Sequence, residues 1–238
     1  MSPYLATQDW AKQAGLKTLA FESTTSSNDE AKSRTPGEVD LVLARHQSHG
    51  RGRGDLLWLA EPDQALLSSW SFLLPDLPQP VFAVRVGLAL FRAAHDTWPT
   101  AKFALKAPND LHILKDDEAR KLGGLLIEIV TTPKTGSLVV VGLGLNVTGS
   151  PKGTTPFTST SLQEMELDLA QWSRFLTTWH SGLLAAVARA GQVTLSQIER
   201  DHAKEALNKH PLYRDVKAVR EDGSLERTSG ELTPWFMI

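Results

Sequence analysis

The chain has 238 residues, 41% of them hydrophobic and 22% charged, with a formal net charge of -2 and no cysteine. That length and composition supply a sizeable buried core and exclude disorder of the whole chain. The near-zero charge gives no global pull toward nucleic acid or an anionic membrane, and the lack of cysteine excludes disulfides, thiolate catalysis and cysteine-ligated zinc. The start, MSPYLATQDW, has no basic segment followed by an apolar run, and no stretch approaches roughly 18 uncharged apolar residues. A cytoplasmic protein with no signal peptide and no membrane partner is expected.

Residues 16–21 and 39–44 read as short buried strands. Between them Ser27-Asn28-Asp29-Glu30 predicts a helix start, with Ser27 as cap and Glu30 completing a capping box, and an end near Thr35-Pro36-Gly37. Residues 45–64, rich in Gly, Arg and Asp, read as a loop, and 65–74 as a strand. Val81, Val84, Leu88, Phe91 and Ala94 recur at helical spacing, so 81–96 is a helix. Residues 102–106 read as a strand, 107–110 as a turn. The apolar runs 121–130 and 137–147 form a hairpin through 131–136, and 149–160 is a loop. Leu169, Trp172, Leu176, Trp179, Leu183 and Val187 line one face of a helix over 168–190 stopped by Gly191. A further helix covers 194–207, and 214–230 alternate weakly around Glu221-Asp222-Gly223, a hairpin signal. Because strands neighbour strands in sequence, the fold class is α+β with a mixed, largely antiparallel sheet. The expected division is a main domain over 1–208 and a small C-terminal β appendage over 209–238.

Four local patterns carry chemistry. Gly50-Arg51-Gly52-Arg53-Gly54 combines glycines, whose backbone can approach a ligand closely, with two forked guanidinium donors suited to carboxylate or phosphate. By itself it equally fits a solvated basic loop. Lys106-Ala107-Pro108-Asn109-Asp110 ends a strand and offers an amide and a carboxylate. Lys121-Leu122-Gly123-Gly124 puts a lysine beside a backbone that an anion can reach, and Gly142-Leu143-Gly144-Leu145-Asn146 places small residues at alternating positions before an amide. An ordinary turn, a strand-edge lysine and tight sheet packing are the plain alternatives. His46 and His49 lie in a loop without a carboxylate partner, so no metal site is expected. The Trp172 and Trp179 stripe reads as helix core, and Lys204, Lys209, Arg214 and Lys217 as a solvated face.

Taken in order, Ser26-Ser27-Asn28, Gln47-x-x-Gly50-Arg51-Gly52-Arg53-Gly54 with Trp58, Lys106-x-Pro108-Asn109-Asp110, Arg120-Lys121-Leu122-Gly123-Gly124-Leu125-Leu126-Ile127-Glu128 and Gly142-x-Gly144-x-Asn146 resemble the catalytic domain of biotin protein ligases over roughly 18–190. The resemblance implies a fold like that domain and class II aminoacyl-tRNA synthetases, with 209–238 a shortened SH3-like cap. It implies an ATP-dependent enzyme in which biotin's carboxylate attacks the α-phosphate, pyrophosphate leaves, and biotinyl-5′-AMP passes biotin to a lysine of a biotin carboxyl carrier domain of a carboxylase. By the same resemblance Lys121, Arg51 and Arg53 are the catalytic cations. Biotin is met by Ser26, Ser27, Asn28, Gln47, Gly50, Arg51, Lys121 and backbone near Gly123 and Leu125. ATP is met by Arg53, Trp58, Asn109, Asp110, Lys121 and Asn146, with Mg²⁺ held mainly by phosphates and water. Asp110 is also implied to orient the incoming lysine, and the glycine-rich loop to close over the adenylate.

The chain departs from the family pattern in four places. Ala107 replaces the usual tryptophan, Asp55-Leu56-Leu57 stands where a second Gly-Arg is usual, Ser27 fills the middle of the first motif, and the usual glycine is missing around Pro62. Some members carry an N-terminal DNA-binding helix-turn-helix. Only about twenty residues precede the matching region here, so no such module, no nucleic-acid partner and no repressor role are expected. A monomer and a homodimer both remain open. The alternatives are a lipoate or octanoyl ligase or transferase on a related fold, against which GRGRG and Gln47 count, and a non-catalytic biotin-binding protein, against which the paired cations count.

Overall fold

Leu-, Val- and Ile-rich runs without a helical period become strands, and runs with one become helices. In the computed structural model, which describes residues 1–54, 56–132, 136–151 and 158–235, the order is α1 (Pro3–Gln13), β1 (Thr18–Phe21), α2 (Ser27–Lys32), β2 (Leu41–Ala44), β3 (Ala65–Leu74), α3 (Phe82–Thr97), β4 (Phe103–Lys106), β5 (Asp110–Lys115), β6 (Glu118–Thr132), β7 (Gly136–Asn146), α4 (Trp172–Val187), α5 (Gln197–Asn208), β8 (Val216–Val219), β9 (Leu225–Arg227) and β10 (Leu232–Thr233). They fall into two units, Met1–Leu77 with Leu122–Leu176, and Pro78–Lys121 with Thr177–Ile238.

In the first unit the strands lie in the order β1-β2-β3-β7-β6. The β1–β2 pair is parallel and the rest antiparallel, the mixed, largely antiparallel sheet expected. β3 and β7 pair from Ala65 opposite Asn146 to Leu74 opposite Ser137. α2 buries Ala31 against Val39, Val42, Leu138 and Val140. α1 sets Trp10 edge-on to Trp70 at 6.0 Å, and its Thr7 hydroxyl accepts from the Trp172 indole N–H at 3.1 Å.

In the second unit β4 and β5 form a hairpin running from Phe103 opposite Ile113 to Lys106 opposite Asp110. α3 buries most of its circumference. It meets α4 where a Cβ on Gly182 would lie 2.8 Å from Ala89, so only glycine permits that approach. Arg85 of α3 is buried and fully engaged: Nε donates to Glu199 at 2.8 Å and its terminal nitrogens to the carbonyls of Arg189, Gln192 and Thr194. Burial raises the Glu199 carboxyl pKa, but the Arg85 bond and those from Ser196 override it and hold it at about 2. β8, β9 and β10 make an antiparallel three-stranded sheet in the order β10-β9-β8.

Several sequence expectations change. The capping box at Ser27 and Glu30 does not form: Ser26 is the N-cap without a side-chain bond, and α2 ends at Lys32. Glu30 instead accepts from Thr24 at 2.8 Å and pairs with Arg34 at 3.0 Å. The box occurs at Ser196 and Glu199, which open α5. Helix α1 and strand β5 were not anticipated, and Asp110 is the first residue of a strand rather than the end of a turn. The C-terminal hairpin gains a third strand. Asp55, residues 133–135 of the 131–136 turn, residues 152–157 of the 149–160 loop and the last three residues of the 209–238 appendage lie outside the described residues.

A histidine pair closes the core of the second unit. His210 Nδ1 accepts from the Leu212 N–H at 3.2 Å, so its Nε2 carries the proton and donates to His112 Nδ1 at 3.3 Å. Both rings are therefore neutral. Burial, with His210, Lys106 and Lys121 nearby, lowers the His112 pKa to about 3; burial and Lys106, opposed by Asp110, lower that of His210 to about 4. An unfolded histidine titrates near 6.5. Folding stability from this pair is therefore complete above about pH 6.5 and falls as pH drops toward the folded values, since the unfolded chain binds the extra protons. Thermal melts at pH 7.5, 6, 5 and 4 are expected to show this decline, and His112→Gln/His210→Gln to flatten it.

Candidate functional site

In the first unit the glycine- and arginine-rich segment is a tight hairpin rather than an open loop. Trp58 N–H donates to Gly50 at 2.8 Å and Gly52 N–H to Leu56 at 2.7 Å, and Arg51 bridges to Leu57. A Cβ on Gly50 would lie 2.5 Å from the Trp58 carbonyl, and Gly54 takes φ +60 at the tip, so each glycine has a steric reason. The hairpin exposes Arg53 and lays the Trp58 side chain over β7, where a Cβ on Gly144 would come 2.4 Å from the indole.

Beside it lies a buried polar cluster. Gln47 Oε1 accepts from the Ser27 N–H at 2.6 Å. Ser69, fully buried in β3, sits with its hydroxyl 2.8 Å from that of Ser27 and donates to Asn28 Oδ1 at 2.5 Å. Asn28 Nδ2 donates to Glu128 Oε2 at 2.7 Å and to the Leu126 carbonyl at 3.2 Å. Asn28 is thus committed to tying α2 to the sheet. The Ser26 hydroxyl is free of any capping bond. Glu128 also takes Lys32 at 2.7 Å and Arg51 at 3.1 Å, and Arg51 reaches Asp29 at 2.6 Å. Burial works to raise the Glu128 pKa, but Lys32, Asn28 and Arg51 lower it below the ordinary carboxylate value.

Register decides which backbone this cluster meets. Gly142 is opposite Ser69 and Leu126, and Gly144 is opposite Leu67 and Gly124. Directly paired residues share a face, so Gly124 and Leu126 lie on the face of Asn28 and Trp58. Gly123 and Leu125 pair with Leu145 and Leu143, whose side chains are buried on the other face. The side-chain positions on the face of Asn28 and Trp58 are thus Gly124 and Leu126, one residue along from Gly123 and Leu125, because strand side chains alternate with period two. Asn146 continues the Gly142 and Gly144 face; its Nδ2 donates to the Thr160 carbonyl at 3.0 Å, and among the described residues its buried Oδ1 has no partner.

In the second unit Lys121 Nζ and Asp110 lie 2.8 Å apart, with the carboxylate buried, and Lys106 is opposite Asp110 in the β4–β5 hairpin. Asn109 is half-buried in the turn before it. Ser69 and Glu128 complete the polar cluster of the first unit, although Ser69 lies inside an apolar run and only cross-strand register reveals it. His46 and His49 bond Ser23 and Ser48, and among the described residues no group of three His, Asp or Glu could hold a metal ion. No helix among them is long and apolar enough to cross a membrane.

The model of the biotin/lipoate A/B protein ligase family matches residues 19–146. The chain belongs to that family. Among curated members of known name, the Mycobacterium tuberculosis biotin–[acetyl-CoA-carboxylase] ligase is 26% identical over 66% of this chain, which spans 65% of that protein's length. The ligase of the same name from Paracoccus denitrificans is 28% identical, over 73% of this chain and 82% of its own. The Aquifex aeolicus biotin protein ligase solved with biotin and ATP superimposes with a TM-score of 0.67 at 18% identity, covering 91% of this chain and 95% of that one. The Leishmania major enzyme with biotinyl-5-AMP gives 0.61 at 19% identity, over 91% and 97%. Both share the fold.

Within this family member the cluster offers neutral donors and acceptors in a buried setting, flanked by cations that are themselves charge-balanced. Its packing leaves no room on β7: a Cβ on Gly142 would lie 2.4 Å from Asn28 Oδ1. Gly142→Ala is expected to cost about 1–3 kcal/mol by overpacking, read as a lower urea midpoint. Gly191→Ala, with nothing within 4 Å of the added carbon, is expected to be near neutral.

Proposed function

We propose that this chain is an ATP-dependent biotin protein ligase that forms biotinyl-5′-AMP and pyrophosphate and then biotinylates a lysine of a carboxylase's biotin carboxyl carrier domain. The observation that carries this reading is the buried cluster of Ser27, Asn28, Ser69 and Gln47 beside the arginine-bearing hairpin. A ureido ring is a neutral pattern of donors and acceptors and is recognised by such groups, whereas the dithiolane of lipoate offers none to match. The names of the curated relatives support the same choice within the family.

In the first step a carboxylate oxygen of biotin bonds to the α-phosphorus and the bond to the leaving pyrophosphate breaks. Two anions approach, so fixed positive groups must offset their repulsion. Lys121 is assigned to the carboxylate and α-phosphate, Arg51 to the carboxylate, and Arg53 to the phosphates. Arg51 and Lys121 rest on acidic partners, Asp29 with Glu128 and Asp110 respectively. Substrate oxygens would exchange with those partners rather than meet bare cations, which keeps both side chains oriented beforehand. Ser26, Ser27 and Gln47, with the backbone of Gly124 and Leu126, are assigned to the ureido ring. Trp58, Asn109, Asp110 and Asn146 are assigned to the nucleotide, and magnesium arrives with its phosphates. In the second step the acceptor amine bonds to the acyl carbon and AMP leaves. Asp110 would take part in orienting that amine. Residues 209–238 are assigned as a shortened cap on a main domain over 1–208.

Incubation with biotin, Mg-ATP and an apo carrier domain is expected to yield an avidin-reactive carrier. Lys121→Ala should lower the rate about 100- to 1000-fold in a protein that still folds by circular dichroism, with a lower melting temperature because the buried Asp110 carboxylate loses its partner. Near-normal labelling by that variant would remove the role given to Lys121, and an unlabelled carrier with wild-type protein would overturn the ligase reading.

A further inference from the structure

Within the second unit, three side chains that follow α5 converge on one short stretch. Tyr213 OH donates to the Ala107 carbonyl at 3.3 Å, Trp235 Nε1 donates to the Pro108 carbonyl at 2.9 Å, and His210 Nε2 meets His112 Nδ1 at 3.3 Å. Tyr213 and His210 are themselves in ring contact at 5.6 Å, and His210 stands edge-on to His112 at 4.9 Å. The contacted residues 107, 108 and 112 bracket Asn109 and Asp110 on both sides. Asp110 is the partner of Lys121 at 2.8 Å.

All three contacting side chains are buried, so they are held by packing and not by solvent-exposed chance. Trp235 stands against the turn at Gly223, whose φ of +84 lets the β8–β9 connection approach Val84 of α3 and Val81 just before it. The C-terminal sheet is therefore anchored on α3 while its flanking side chains grip the turn. A carbonyl held by a buried indole N–H and another held by a buried phenol cannot drift without leaving a buried polar group unsatisfied.

We propose that Tyr213 and Trp235 are positioning residues for the adenylation step: they fix the 107–110 turn so that Asn109, Asp110 and, through Asp110, Lys121 present a set geometry to the nucleotide. This rests on the ligase reading above, and it makes the C-terminal segment part of the ATP end of the reaction. It predicts a selective kinetic signature, since displacing a positioned group by about 1 Å can cost up to about 100-fold in rate.

The test compares wild type, Tyr213→Phe and Trp235→Phe in biotin-dependent pyrophosphate release, with hydrogen–deuterium exchange of peptides covering 103–115. Expected for each variant is faster exchange in those peptides and a fall of about tenfold or more in kcat/KM for ATP, with KM for biotin within about twofold of wild type. Tyr213→Phe keeps the ring and its packing, so it carries the test should Trp235→Phe fail to fold. Unchanged exchange, unchanged ATP kinetics, or an equal loss for both substrates overturns the positioning role. A wild-type protein that releases no pyrophosphate overturns instead the ligase reading beneath it.

Discussion

The antiparallel register of β3, β7 and β6 is the constraint from which the candidate site follows. It sets Ser69, Gly142 and Leu126 in one row and Leu67, Gly144 and Gly124 in the next. Helix α2 can bring Asn28 down onto the first row, and the Gly50–Trp58 hairpin can lay its indole on the second, only because β7 carries no side chain at either place. A slip of one residue would turn Leu143 and Leu145 toward Asn28 and Trp58 and remove the polar cluster. The glycines of the Gly142-x-Gly144 pattern thus serve the packing of two other elements.

Charge balance is the second organising feature. Each cation assigned to chemistry and resolved in an ion pair sits on a carboxylate: Arg51 on Asp29 and Glu128, Lys121 on Asp110. Glu128 is shared among Lys32, Arg51 and Asn28, which lowers its pKa despite burial. Such partners hold the cations in place when no anionic substrate is present.

The sequence was most legible where one signal dominated. Residues 65–74, apolar apart from Ser68, Ser69 and Ser71, are a strand over that whole span, and the paired apolar runs around 121–147 are the long hairpin. It was least legible where the same local pattern has two outcomes. Ser27-x-x-Glu30 and Ser196-x-x-Glu199 read alike, yet only the second caps a helix, because Thr24 and Arg34 claim Glu30. Helix α1 buries Tyr4, Thr7, Trp10 and Ala11 within a polar stretch, and β5 follows a turn signal with a short run of mixed polarity; neither stands out locally. For the candidate site, the local motifs were legible in the sequence, but strand parity and the place of Ser69 in the polar cluster needed the cross-strand register. The bond from Trp235 to Pro108 spans 127 residues of sequence and has no local trace.

The most direct measurement is calorimetric titration of the purified protein with biotin and with lipoate, each without and with Mg-ATP, while pyrophosphate is assayed. The account predicts biotin binding, with pyrophosphate released only when biotin and Mg-ATP are both present. Pyrophosphate release driven by lipoate and not by biotin would contradict it, as would biotin binding with no release at all.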